Sequence, residues 1–217
     1  MNYALAIGKK EKKLFTLKKT EIMENTIINE TLEGLLNTIH YTSNPPQALV
    51  DMGNLEARYI KDLKINVGNA LKYDSLSEKE SALLALSVAI NEKTKSLEMA
   101  LLEKAKLAGA TQEEVLETFA CVSLLNVNNV FYRFRHFTKK EYYQTTPAGI
   151  KMTVMGNPTM GKEFFELMSL GISSLNGCEL CVNAHEESLI KMGTSQQRIY
   201  DAVRLFANLK GLTIFFR

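Results

Sequence analysis

Past Met23 the chain is patterned at helical spacing, with apolar residues returning every three or four positions almost throughout. No Asn-Gly or Asp-Gly turn sits between alternating apolar runs, so strand signals are nearly missing and the pattern predicts an all-α protein. Ser77-Glu78-Lys79-Glu80 and Thr111-Gln112-Glu113-Glu114 both fit a capping box, in which a hydroxyl and a glutamate satisfy the free N–H groups of a first turn. From the first start, Leu83, Leu84, Leu86 and Ile90 form an apolar stripe; from the second, Val115, Leu116, Phe119 and Val122 form another. Between them a helix is predicted from about Lys95 to Leu107, ended by Gly109. Pro45, Pro46, Pro147 and Pro158 fall in connecting segments, and the stretch from about Thr138 to Pro158 reads as a linker.

Sliding the chain along itself by 84 positions brings Leu83 onto Leu167, Leu86 onto Leu170, Ala100 onto Ala184, Glu103 onto Glu187, Gly109 onto Gly193 and Gln112 onto Gln196. Helix stops and starts coincide in the same register, which predicts two copies of one helical unit packed together. The expected organisation is a single domain over residues 23–217, with halves at about 55–137 and 155–217, preceded by a loose basic tail over residues 1–22.

Composition adds only limits. An apolar fraction of 46% and a charged fraction of 23% are those of an ordinary globular protein. The net charge is +2, and the one basic cluster, Lys9 to Lys19, lies in the tail, so there is no electrostatic case for nucleic acid. No run approaches a membrane span or a signal-peptide core, which places the expected protein inside the cell. Three cysteines are too few for a secreted disulfide framework, and a cysteine pair here reads as catalytic or metal-binding.

That pair is Cys178 and Cys181. A helix from about Gly161 to Leu175 stops at Asn176-Gly177, Cys178 begins the next helix, and His185 follows Cys181 by four. Separations of three, four and seven put the three side chains on one stripe, where two thiols can bridge reversibly and an imidazole can move a proton. In an antiparallel hairpin about Asn176-Gly177, Glu166 comes level with His185 and would orient the ring. The other repeat is bare, with Ala82, Thr94, Leu97 and Leu101 at the matching positions.

Two blander readings stay open for the cysteines: buried packing, or a zinc site completed by His185 and Glu166. Cys121 has no partner and reads as packing; His40 and His136 read as structural; Met152, Met155, Met160 and Met168 read as core filler. The run Phe131-Tyr132-Arg133-Phe134-Arg135 mixes aromatics with arginines, but at the end of an apolar helix packing and a helix-terminus partner are the expected roles.

The stretch Lys162-Glu163-Phe164-Phe165-Glu166-Leu167, followed by Asn176 to Glu186, resembles the alkyl hydroperoxidase D (AhpD) family of the carboxymuconolactone decarboxylase-like superfamily. Asn157-Pro158, Asn128 to Arg133 and Tyr59 to Lys64 share the likeness, which runs from about Leu55 to Gly211. Its core pattern, Glu, eleven residues, Cys, two residues, Cys, three residues, His, is matched in full.

The resemblance implies an all-α fold of two pseudo-symmetric halves, a cytoplasmic homotrimer, and reduction of organic hydroperoxides at the dithiol. It would make Cys181 the attacking thiol, Cys178 the resolving one in a Cys178-Cys181 disulfide, and Glu166 and His185 a proton relay. The helix-start argument alone would favour Cys178 as the more acidic thiol. The resemblance also implies electrons from a dihydrolipoyl-bearing protein and transfer to an AhpC-type peroxiredoxin, with no bound cofactor. An alternative is therefore a disulfide oxidoreductase that recycles the peroxiredoxin; lactone decarboxylation, the chemistry of the superfamily's namesake, needs no dithiol. Two departures stand out. Leu180 replaces a histidine that some members carry beside the second cysteine, and the chain ends at Arg217, so packing of the last helix is expected to differ.

Overall fold

Helices begin where the two capping boxes place them. In a computed structural model that describes residues 29–217, Ser77 and Glu80, and likewise Thr111 and Glu114, make both reciprocal bonds of the box. The tail at 1–22 and the start at Met23 lie outside the described residues. The chain runs through α1 (Glu30–Thr38), α2 (Gln47–Asn54), α3 (Arg58–Ala70), α4 (Glu78–Asn91), α5 (Lys95–Leu107) and α6 (Gln112–Thr138). It continues through α7 (Glu141–Thr145), α8 (Thr153–Gly156), α9 (Lys162–Leu175), α10 (Glu179–Lys191) and α11 (Gln196–Thr213), closing in a 3-10 turn (Ile214–Phe216). No strand occurs among the described residues, so the all-α expectation holds. No described helix is long and apolar enough to cross a membrane.

The 84-residue register survives in three dimensions. The helices α9 and α10 begin and end 84 positions after α4 and α5, and α11 begins 84 positions after α6. The turns match as well: Lys93 and Gly177 have φ of 59° and 67°, and Gly109 and Gly193 have φ of 88° and 85°. In each unit the first two helices form a hairpin, α4 with α5 and α9 with α10, while the third packs across the first helices of both units. Thus α11 lies on α4 and α6 on α9, and the two first helices meet at the centre.

That central placement explains the composition of α4 and α9. Residues Ser81 to Ala89 and Phe164 to Ser173 are buried without interruption, as a helix enclosed on every side must be. Two of the buried hydroxyls bond locally or across helices: Ser87 donates to the Leu84 carbonyl at 2.7 Å, and Ser173 accepts from Asn129 at 3.0 Å. Gly171 allows the closest approach, since a Cβ there would stand 2.1 Å from the Phe206 ring of α11.

The third helices are tied to their own unit and to the opposite one by polar contacts that repeat with changed chemistry. Lys79 pairs with Glu114 at 2.7 Å, and at the equivalent positions Glu163 pairs with Arg198 at 2.9 Å, the charges reversed. Glu117 accepts the backbone N–H groups of Thr159 and Met160, each at 2.7 Å, ahead of α9; its counterpart Asp201 accepts the Ser75 hydroxyl at 2.8 Å, ahead of α4. Arg198 also reaches Glu80 at 2.5 Å and the Ser75 carbonyl, so one guanidinium joins the starts of α4, α9 and α11.

Two expectations change. On α6, Leu116 is exposed and Phe119 only half-buried; the buried face carries Val115, Thr118, Cys121, Val122 and Leu125. The stripe was drawn through apolar residues alone, whereas the inward face of α6 includes Thr118 and Cys121, one turn apart from Val115 and Leu125. The expected linker after Thr138 is partly helical, containing α7 and α8.

Replacing Gly171 with Ala forces the Phe206 ring aside and is expected to destabilise the protein by about 1–3 kcal/mol, read as a lowered denaturation midpoint with an unchanged slope. Burial pushes the Glu80 carboxyl up, but its bonds to Arg198 and Ser77 outweigh this and hold it below its ordinary value of 4.5. Because the folded value is the lower one, this contribution is present above 4.5 and is lost as pH falls through the folded value. Arg198→Met should therefore flatten part of the acid-side fall in stability, as measured by denaturant midpoints between neutral pH and the acid limb.

Candidate active site

The site is built on the α9–α10 hairpin, and its turn is held from three helices. Gly177 takes φ 67°, the left-handed geometry that glycine adopts without strain, and the Cys178 N–H bonds back to the Ser173 carbonyl at 3.0 Å. Arg133 of α6 donates to the Asn176 carbonyl at 2.6 Å. The Asn176 carboxamide donates to Asn129 of α6 at 2.9 Å and accepts from Asn91 of α4 at 3.2 Å. Arg133, expected as a helix-terminus and packing residue, thus fixes the turn that carries the first cysteine.

Cys178 is the N-cap residue of α10, one position before the helix proper, and its carbonyl accepts the Val182 N–H at 2.9 Å. Cys181 follows one turn later, with 5.3 Å between the two Cα atoms, and the two sulfurs are joined as a disulfide. His185 is the next residue on the same stripe. Its Nδ1 lies 2.6 Å from Oε2 of Glu166, the contact anticipated from the hairpin. Both side chains are buried, so the pair is shielded from solvent and the carboxylate fixes which ring nitrogen faces it. Nε2 makes no hydrogen bond among the described residues.

The two sulfurs occupy different surroundings. A cavity of about 320 Å3 opens against Cys181, Leu180, Ala184 and His185 of α10, Asn128 and Tyr132 of α6, and Met152 and Met155 from the segment at α8. Cys178 is fully buried and is not part of this wall. The lining is mostly apolar; Leu180, the departure from the family pattern, is one of its walls and is 41% exposed.

Asn128, Tyr132, Met152 and Met155 were not singled out from the sequence for this role, and the two methionines were read as filler. One signal was available: Asn128 stands one turn before Tyr132, so the two share a face of α6, where Asn128 is buried at 5% exposure. Its amide nitrogen donates to the Met152 sulfur at 3.2 Å, while its Oδ1 has no partner, an arrangement that costs about 1–3 kcal/mol wherever it occurs.

The remaining candidates behave as packing or surface groups. Cys121 is buried 3.6 Å from the Ser169 hydroxyl, and burial pushes its thiol up to about 12, far from any nucleophilic form at neutral pH. His136 stands 3.5 Å from Glu179 at the surface, and His40 is exposed with φ 55°. Among the described residues no group of three or more His, Cys, Asp or Glu is placed to hold a metal.

Residues 142–212, from α7 to the end of α11, match the carboxymuconolactone decarboxylase family. The chain is 37% identical over 158 residues to alkyl hydroperoxide reductase AhpD of Coxiella burnetii, covering 71% of this chain and 88% of that protein. It is 38% identical over 150 residues to AhpD of Azorhizobium caulinodans, covering 69% and 82%, and 32% identical over 159 residues to AhpD of Solibacter usitatus, covering 73% and 89%. With such identity over more than two thirds of its length, and with the helical fold described above, the chain belongs to the AhpD family of the carboxymuconolactone decarboxylase superfamily.

Proposed function

We propose that this protein is a thiol-dependent alkyl hydroperoxide reductase with a role in antioxidant defence. The observation that carries the reading is the cavity at Cys181, with His185 in its wall and Glu166 fixed behind that histidine. A largely apolar lining suits the organic part of a hydroperoxide better than water or a small polar solute.

In the reduced protein the Cys181 thiolate attacks the terminal peroxide oxygen. An S–O bond forms as the O–O bond breaks, and the departing alkoxide takes a proton from the imidazolium of His185, whose charge Glu166 stabilises. Cys178 then attacks the sulfenic sulfur, forming the disulfide and releasing water. The net change is ROOH plus two thiols to ROH, water and a disulfide. Position at the N-cap would acidify Cys178, yet a fully enclosed sulfur cannot meet a substrate; access assigns the attack to Cys181 and leaves Cys178 to resolve.

A dihydrolipoyl-bearing protein is the expected electron donor, returning the disulfide to the dithiol by exchange. Leu180, exposed next to Cys181, favours a second use of the same dithiol, reduction of an AhpC-type peroxiredoxin docked over that edge. The working form is expected to be a cytoplasmic homotrimer. Val127, Val130, Phe134 and Phe137 expose an apolar face along α6 beside the cavity, a surface that a second copy would cover.

Dihydrolipoamide with an organic hydroperoxide such as cumene hydroperoxide should give steady turnover. Cys181→Ser should abolish it, whereas Cys178→Ser should consume one equivalent of peroxide and retain a sulfenic acid on Cys181, detected by trapping and mass spectrometry. Undiminished turnover in Cys181→Ser would refute the peroxidase reading. Glu166→Gln should lower kcat/KM by roughly 100-fold or more while leaving the Cys178–Cys181 disulfide able to form with a small disulfide reagent.

A further inference from the structure

Three buried side-chain polar atoms lack a hydrogen-bond partner among the described residues: Ser81 Oγ, Arg135 Nε and Asn128 Oδ1. Of their three residues, only Asn128 lines a cavity described here, and it is the cavity at Cys181. The orientation of its carboxamide is set by chemistry. A thioether sulfur has no proton to give, so the face 3.2 Å from Met152 is the NH2 group, and the carbonyl oxygen is the end left without a partner. Tyr132, one turn further along α6, shares the wall, as do Cys181 and His185 across the cavity. The cavity thus has a nucleophile, a proton donor and one idle acceptor, and that acceptor has no function in the disulfide form.

We infer that Asn128 orients the substrate, its Oδ1 accepting the O–H of the terminal peroxide oxygen and holding that oxygen toward Cys181. The inference rests on the peroxidase reading above and specifies how the site distinguishes the two oxygens. A hydroperoxide has one O–H, on the oxygen that thiolate must attack. An acceptor beside Cys181 therefore selects that oxygen, while His185, a donor, serves the alkoxy oxygen that leaves. The proton held by Asn128 stays on the transferred oxygen as the sulfenic hydroxyl, so the step balances with one proton supplied by His185 to give ROH. Oδ1 is closed to solvent in the disulfide form, so the wall around Asn128 must open to admit the ligand.

The test compares two rates of Cys181 modification in the reduced protein, both followed by quenched mass spectrometry. One reagent is cumene hydroperoxide; the other is methyl methanethiosulfonate, which attacks thiolates and carries no hydrogen-bond donor. Asn128→Leu, close in volume but with no acceptor, should lower the ratio of the peroxide rate to the thiosulfonate rate by roughly 10- to 100-fold. Asn128→Ala should lower it likewise, which separates loss of the acceptor from blockage of the cavity. Asn128→Asp keeps an acceptor oxygen and should hold the ratio within about threefold of wild type, although its charge slows both reactions. An unchanged ratio in Leu and Ala, a fall in Leu alone, or a fall in Asp equal to that in Leu overturns the role of Asn128. A wild-type protein that reacts with the thiosulfonate and leaves the hydroperoxide intact overturns the peroxidase reading, and this inference with it.

Discussion

The geometry of the candidate site depends on the α9–α10 hairpin bringing Glu166 within 2.6 Å of His185. Neither residue is unusual alone. A buried carboxylate and a buried imidazole would each face a desolvation penalty, and each relieves the other's only if the two helices are held in fixed register. The Asn176-Gly177 turn sets that register, and the molecule anchors the turn from outside the hairpin through Arg133, Asn129 and Asn91. The long helix α6 therefore does two things at once: it fixes the turn that carries Cys178, and it supplies Asn128 and Tyr132 to the cavity at Cys181.

The duplicated architecture sets the candidate site beside a matching hairpin that lacks its residues. Thr94 is the N-cap residue of α5 at φ −92° and ψ 83°, and Cys178 is the N-cap residue of α10 at −98° and 89°; the backbone is the same. At the four equivalent positions of the first unit, Ala82, Thr94, Leu97 and Leu101 are all buried at 0% exposure and simply fill space. One hairpin has the sequence of a core and the other has the sequence of a site. Because the third helices pack on both units, the two halves hold each other: α11 lies on α4 as well as α9, and Arg198 ties the starts of α4, α9 and α11 together. A scaffold half with an uninterrupted core supports a half in which burial has been given over to charged and nucleophilic groups.

Which of these features could be read from the sequence follows from how local their causes are. Capping boxes, the glycine turns and the disulfide spacing act within a few residues, and they fell where expected. The Glu166–His185 contact joins residues 19 apart, yet one tight turn separates their helices, so counting outward from Gly177 was enough. Asn128 and Met152 are 24 apart with α7 and a loop between them, and their meeting depends on how the segment at α8 folds back onto α6, which no spacing encodes. The Leu116 error has the same root. Hydrophobicity was taken as the mark of the inward face, but α6 packs Thr118 and Cys121 inward against a helix as crowded as α9, and there small residues are what fit.

The two sulfurs show why position on a helix does not by itself decide reactivity. Cys178 has the electrostatic advantage of the N-cap, where free N–H groups stabilise an anion. It is also the sulfur that is fully buried, beside a turn pinned by Arg133. Cys181, one turn further on, gives up part of the dipole but gains the cavity and the same stripe of α10 as His185. A two-thiol cycle needs both arrangements: one sulfur that meets the substrate, and one held close and out of reach until the first has been oxidised.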